Sequence, residues 1–327
     1  MSVNSLWRLQ PYSQDGPPRF TMPTPPRHVT LRSPRPTRTV TATEITPHRL
    51  VPVRWYGPSP IDRSTRGPTV LWLHGGGFFR GSLDQPEAHA VAESLAQHGL
   101  SVATVGYRLA PPPGASWMKT RAGIPRGRFP VPLDDVLAAY RIVRAQSPRG
   151  VILGGASAGA CLAAAATLGA IDEGLPPVGV VLTYGFFHAV HRRTEDVQQR
   201  ATGHRRITHS VWALNAMNRN YAGSQAELAN RLAFPGGHDV HQFPRTLSIN
   251  AEKDNMRASG DTFAAELSGH GVDVQHHVLL GTRHAFLNRP GNDAFATAVS
   301  VIAEWSLSRI APIGERKSSV GTPWSRD

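Results

Sequence analysis

From Thr69 onward, apolar residues fall in short unbroken runs, and between those runs they recur every third or fourth position along longer stretches with a polar side. Unbroken runs bounded by turn residues predict strands buried on both faces, and the three-to-four spacing predicts helices with one apolar side. The predicted strands are Val70–Leu73, Val102–Val105, Val151–Leu153, Val178–Thr183, Thr246–Asn250 and Val272–Leu279. The predicted helices are Glu87–Gln97, Leu133–Ala145, Ala158–Ala170, Thr262–Leu267 and Ala294–Leu307. Strands and helices alternating at these lengths imply an α/β fold, with a mostly parallel central sheet flanked by helices on both faces. Ahead of this region, Thr39–Tyr56 alternates branched and polar residues and is broken by Pro47 and Pro52, which predicts an antiparallel hairpin or edge strands.

The alternation is interrupted once, over Phe186–Pro244, a stretch too long for a bare loop and holding its own helical pattern at Val211–Tyr221. The implied organisation is a core at 67–185 and 244–311, with a cap or lid inserted at 186–243. Residues 1–66 form a proline- and arginine-rich arm plus edge strands, expected to contribute to the cap, and 312–327 is a tail expected to be disordered.

Composition narrows the class. A chain of 327 residues with 40% hydrophobic content can bury a large core, and no apolar run approaches the length of a membrane span. The N-terminus lacks the layout of a secretory signal, so a cytoplasmic location is expected. The single cysteine, Cys161, excludes an internal disulfide framework and reads as a small buried hydrophobe. The net charge of +12 is carried by arginine, since Lys119, Lys253 and Lys317 are the only lysines. Apart from Pro17–Arg38 and the cluster Arg192, Arg193, Arg200, Arg205 and Arg206, the basic residues are scattered. No recognition helix, stacking platform or metal knuckle accompanies them, so no nucleic-acid partner is expected.

The chemistry begins at Gly155-Ala156-Ser157-Ala158-Gly159, a G-x-S-x-G sequence between a predicted strand and a predicted helix. That context makes it a nucleophile elbow, in which small residues on either side let the serine take a strained backbone conformation. A nucleophilic serine needs a base, a group that orients the base, and donors for the oxyanion. The strand ending at Asn250 runs into Ala251-Glu252-Lys253-Asp254, which places Asp254 where a carboxylate leaves the sheet. Glu252 is the local competitor, and Asp239 lies before the required strand. The next strand leads to Gly281-Thr282-Arg283-His284, so the order Ser157, Asp254, His284 is that of an α/β-hydrolase triad.

Fifteen histidines make coincidence a threat. His276 and His277 are neighbours on one strand and read as structural, His89 and His98 as surface groups, and those of the insertion as solvated or pocket-lining. None has the ligand spacing of a zinc site, so no metal is expected. His74-Gly75-Gly76-Gly77-Phe78 follows the first buried strand, as a loop presenting backbone N–H groups to an oxyanion would. His74 is expected to brace that loop. No phosphate-binding glycine motif is present, and no cofactor is implied.

Together these motifs resemble the hormone-sensitive-lipase-type carboxylesterases, the H-G-G-G branch of the α/β-hydrolases. The likeness extends to Tyr107-Arg108-Leu109-Ala110-Pro111, Phe129-Pro130-Val131-Pro132-Leu133-Asp134-Asp135 and His284-Ala285-Phe286. It implies an α/β-hydrolase fold and hydrolysis of small to medium acyl esters through an acyl-enzyme. It also implies Ser157 as nucleophile, His284 as acid and base, Asp254 as its orienter, and Gly75, Gly76 and Ala158 as the oxyanion hole. Asp134 and Asp135 read as structural.

Four features depart from the family's pattern: Ala156 stands where it has aspartate, Ala160 where it has glycine, Pro112 where it has an acidic residue, and a basic segment, Pro113–Arg128, is inserted. The expected partner is a small-molecule ester, and a homodimer is left open. Two other readings also stay open. The fold could serve dehydratase-like chemistry or ligand binding, or the basic arm could make this an interaction protein.

Overall fold

The structure, a computed structural model, describes residues 38–46, 49–57, 67–121, 123–193, 195 and 201–308. The arm through residue 37 and the tail after 308 lie outside the described residues. Strands β1 (Arg38–Thr46) and β2 (Arg49–Tyr56) form the antiparallel hairpin expected of their alternating pattern. The βα series follows: β3 (Thr69–Leu73), α1 (His89–Gln97), β4 (Ser101–Val105), α2 (Val131–Ala145), β7 (Val151–Ala156), α3 (Ala158–Asp172) and β8 (Gly179–Thr183). Between β4 and α2 lies a two-stranded ribbon, β5 (Thr120–Arg121) and β6 (Ile124–Pro125). After β8 come three helices, α4 (Arg205–Thr208), α5 (Val211–Ala222) and α6 (Gln225–Leu228), and then β9 (Thr246–Lys253), α7 (Arg257–Gly269), β10 (Val274–Arg283) and α8 (Asp293–Leu307).

The main sheet has the order β1-β2-β4-β3-β7-β8-β9-β10. It is parallel from β4 to β10, and β2 joins β4 antiparallel. Strand alternation divides the core into two faces. On β3, Leu71 and Leu73 face the layer of α2, α3 and α7, whereas Val70 and Trp72 face the layer of α1 and α8. Strands covered on both sides need apolar residues at every position, which is why they read as unbroken runs. Helix α3 is buried from Ala158 through Ala170 because its alanines and glycines let it press closely against the sheet. A helix buried all round needs no polar side.

Polar ties fix the segments around this frame. Asp135 on α2 accepts hydrogen bonds from the Arg108 backbone N–H, Nε and Nη2 at 2.9, 2.9 and 3.2 Å, pinning the segment after β4 to the helix. A paired, planar arginine–carboxylate contact of this kind is among the stronger polar ties a fold can use. No helix among the described residues is long and apolar enough to cross a membrane.

Candidate active site

The carboxyl ends of β3, β7, β8, β9 and β10 meet at one place. Ser157, between β7 and α3, has φ 55° and ψ −121°, a region that costs a side-chain-bearing residue on the order of 1–3 kcal/mol. The turn is possible because Gly155 and Gly159 touch each other and the end of β3. A Cβ on Gly155 would lie 2.5 Å from the Gly159 carbonyl carbon, and one on Gly159 would lie 2.3 Å from the Leu73 oxygen. Backbone cannot yield to a methyl group at that distance. The Ser157 N–H donates to the Thr183 carbonyl of β8 at 2.9 Å, so the elbow is held from the neighbouring strand.

Ser157, His284 and Asp254 come together from three loops. Ser157 Oγ lies 2.9 Å from His284 Nε2, and His284 Nδ1 lies 2.6 Å from Asp254 Oδ2. All three side chains are buried. Asp254 Oδ1 also accepts the Met256 N–H at 3.0 Å. Burial pushes the Asp254 carboxyl up, but His284, its hydrogen bond and the Met256 amide outweigh that and hold it below its ordinary value. An ionised aspartate on Nδ1 leaves Nε2 as the basic nitrogen facing the serine. Glu252 is elsewhere, accepting the Gly281 N–H at 2.7 Å, and Asp239 is exposed and engaged with His241 at 2.8 Å.

The glycine loop after β3 passes directly beside the serine: a Cβ on Gly75 would lie 2.9 Å from Ser157 Cβ. His74 braces this loop. Its Nδ1 lies 2.8 Å from the Gly75 carbonyl, its ring stacks on Tyr107 at 4.4 Å, and the Tyr107 hydroxyl donates to its carbonyl at 2.6 Å. Burial pushes the His74 imidazole down to about 4, so it stays neutral.

The structure differs from the sequence expectation at Gly75. Its N–H donates to Glu87 Oε1 at 2.6 Å and is not available to a substrate oxygen. The Gly76, Gly77 and Ala158 amides donate to no other atom among the described residues.

The sequence predicts a helix that starts at Glu87 and gives that residue no role of its own. The helix in fact begins at His89, and the Glu87 carboxyl turns inward, 2% exposed. Its Oε2 accepts hydrogen bonds from the Tyr184 hydroxyl and Asn288 Nδ2, both at 2.8 Å. It thereby ties the glycine loop, the end of β8 and the loop after His284 to one group. Burial raises its pKa, and the hydrogen bond from Tyr184 is the largest opposing effect.

The inserted stretch also reaches the site. The His209 ring meets the His284 ring edge to face at 4.9 Å, and Arg205 Nη1 donates to the His284 carbonyl. Burial, followed by the charge of His284, pushes His209 down to about 3. Met217 of α5 lies over the glycine loop, since a Cβ on Gly77 would come within 2.7 Å of its sulfur. The sequence marked Arg205 only as part of a basic cluster and His209 only as one of the solvated or pocket-lining histidines of the insertion, and gave Met217 no role. Cys161 is buried with its thiol pushed upward by burial, and among the described residues no group of His, Cys, Asp and Glu is arranged to hold a metal.

The comparisons agree with this geometry. Residues 121–288 match the family described as alpha/beta hydrolase fold. The chain is 32% identical over 247 residues to the ethyl acetate hydrolase of Pseudomonas putida, covering 72% of this chain and 71% of that one. It is 28% identical over 265 residues to the carboxylesterase NlhH of Mycobacterium tuberculosis, covering 78% and 75%. A hyperthermophilic esterase from Pyrobaculum calidifontis superposes with a TM-score of 0.70 at 27% identity, covering 83% of each chain. The chain belongs to the α/β-hydrolase family. Within that family it is a hydrolase of the carboxylesterase type.

Proposed function

We propose that this protein hydrolyses small to medium acyl esters with Ser157 as nucleophile, His284 as general base and acid, and Asp254 as the orienter of His284. The observation that carries the proposal is the unbroken chain Ser157 Oγ–His284 Nε2–Asp254 at 2.9 and 2.6 Å, with the serine on a strained elbow. Ser157 Oγ attacks the ester carbonyl carbon as its proton passes to His284 Nε2. The carbonyl oxygen becomes an oxyanion held by the amides of Gly76, Gly77 and Ala158, each such donor being worth roughly 10²–10³ in rate. The intermediate collapses, the alkoxide leaves with the proton from His284, and a water deprotonated by His284 releases the acid from Ser157.

Residues 186–243 act as the cap. Met217 roofs the glycine loop and His209 walls the catalytic histidine, an enclosure that suits a short acyl group better than a lipid interface. The similarity to an ethyl acetate hydrolase points the same way. A cytoplasmic location fits a lone, buried cysteine.

The test is a panel of p-nitrophenyl esters from acetate to laurate. Short and medium chains should be turned over, Ser157→Ala should lose at least about 10³-fold in kcat, and an organophosphonate should label Ser157 alone. Absence of turnover together with absence of labelling would refute the proposal.

A further inference from the structure

Beside His284 a cavity of about 270 Å³ is lined by Arg205, Lys253, Arg283 and Arg289 along with His284 and Asn292. Five arginines elsewhere pair with carboxylates, Arg54 with Asp84, Arg108 with Asp135, Arg141 with Glu173, Arg231 with Asp172 and Arg257 with Asp261, at 2.5–3.0 Å. Among the described residues, no carboxylate lies within ion-pair distance of any of the four cations around the cavity. Of the acidic groups around it, Asp254 pairs with His284, Glu252 accepts the N–H of Gly281 on the cavity wall, and Asp293 is an exposed residue of the first turn of α8.

Arg205 and Lys253 are half-buried and Arg283 and Arg289 exposed, so four like charges rim one space and repel one another across it. Burial, followed by repulsion from Arg289 and Arg283, lowers the pKa of Arg205 despite the opposing pull of Asp254. A second feature points at the same space. The N-terminus of α8, a helix of 15 residues, opens beside it: Asn292 caps the helix, and Ala294 lines the cavity. The amides of Phe295 and Ala296 bond back to Asn292, whereas those of Asp293 and Ala294 have no acceptor among the described residues. Free amides at a helix N-terminus, surrounded by guanidinium groups, suit an oxyanion.

We propose that this cavity binds a small oxyanion, either inorganic phosphate or the carboxylate of an acidic ester, and that the bound anion steadies the loop carrying His284. The link to the loop is the hydrogen bond from Arg205 to the His284 carbonyl, with Arg283 and Arg289 on either side of the same loop. Binding itself does not depend on the esterase proposal, and a titration reads it even if no ester is turned over.

The test titrates inorganic phosphate calorimetrically into the full chain at fixed ionic strength, and into Arg289→Gln and the Arg283→Gln/Arg289→Gln pair. Saturable binding that the pair weakens about tenfold or more, with the melting temperature of the anion-free pair unchanged, supports the site and identifies a free anion. In parallel, kcat/KM is compared for monoethyl succinate and ethyl butyrate. A preference for the acidic ester that falls about tenfold in the variants supports the same site with the anion borne by the substrate. If the pair folds poorly, Arg289→Gln alone, at an exposed position, serves both arms. No saturable phosphate binding up to about 20 mM and no preference for the acidic ester overturns the proposal, as does binding or preference that the substitutions leave unchanged.

Discussion

At the scale of single residues, Glu87 shows how one buried carboxyl can organise a site without touching its chemistry. It accepts from the Gly75 amide, the Tyr184 hydroxyl and the Asn288 amide, three donors from three separate loops. Glu87→Ala would strip all three of their acceptor in a place where water cannot replace it, at about 1–3 kcal/mol for each donor left unsatisfied. The expected result is a melting temperature lowered by several degrees and a fall of about tenfold or more in kcat, with KM for short esters changing little, because the glycine loop and the loop after His284 lose their common anchor. Glu87→Gln keeps the shape and an acceptor oxygen, and should recover most of the stability. A Glu87→Ala protein with wild-type kcat and melting temperature would show that these hydrogen bonds do not position the site. Ala156 belongs to the same neighbourhood. It is fully buried and packed with Trp72, Tyr184 and Phe286, so the family's aspartate would here set a second carboxyl in an apolar cluster close to Glu87.

At the scale of elements, helix α5 is held over the site by one aromatic stack and a few polar ties. Tyr221 lies flat on Phe78 at 3.8 Å, Asn218 Nδ2 donates to the His188 and Ala189 carbonyls, and Arg128 Nε donates to the Asn220 carbonyl at 2.9 Å. Tyr221 buries its ring completely, yet its hydroxyl has no hydrogen-bond partner among the described residues. Two substitutions at this position should therefore act in opposite directions. Tyr221→Phe keeps the stack and removes the unsatisfied hydroxyl, and should be neutral or stabilising by about 1 kcal/mol. Tyr221→Ala opens a cavity between α5 and the glycine loop; it should cost about 3–5 kcal/mol and raise KM as Met217 shifts. Urea titration of the two variants checks the signs, and equal destabilisation by both would mean that the hydroxyl is satisfied in solution.

The elements that the sequence made legible are those whose signal is local. Strands β3, β4, β7 and β8 show as apolar runs and β9 and β10 as mixed apolar and polar ones, and Ser157, Asp254 and His284 each sit just past a strand. Boundaries slipped where the backbone continued beyond the apolar pattern, as in β9, which runs on through Glu252 and Lys253, and α7, which starts at Arg257 rather than Thr262. The β5–β6 ribbon and helices α4 and α6 carry too few apolar residues to give a period. The roles of Glu87, Arg205 and His209 were not legible for a different reason: their partners lie dozens of positions or more away in sequence, at Asn288 and at His284.

At the scale of the whole molecule, the chain buries imidazoles that stay neutral, and this gives its stability a direction in pH. Burial lowers His74 and His191 to about 4 and His209 to about 3, against an ordinary value near 6.5 in the unfolded chain. Between about pH 6.5 and pH 4 the unfolded chain therefore holds protons that the folded chain does not. Stability is full above the unfolded value and is lost as the pH falls toward the folded ones. Each histidine contributes about 1.4 kcal/mol per pH unit inside that window, so the three together approach about 4 kcal/mol per unit near pH 5. Asp254, held below its ordinary value, works in the same direction at lower pH, while Glu87, with its raised pKa, gains stability as the pH falls and offsets part of one histidine. Against a total of about 5–15 kcal/mol for a typical domain, that slope is enough to unfold the protein well before its surface carboxylates are neutralised. Urea midpoints measured at pH 7.5, 6.0 and 5.0 should fall progressively, and His209→Phe, which removes one titrating ring beside His284 while keeping its bulk, should flatten the curve by about a third. A midpoint constant from pH 7.5 to 5.0 would mean that these rings take up protons in the folded state as readily as in the unfolded one, and that the space around His284 admits water.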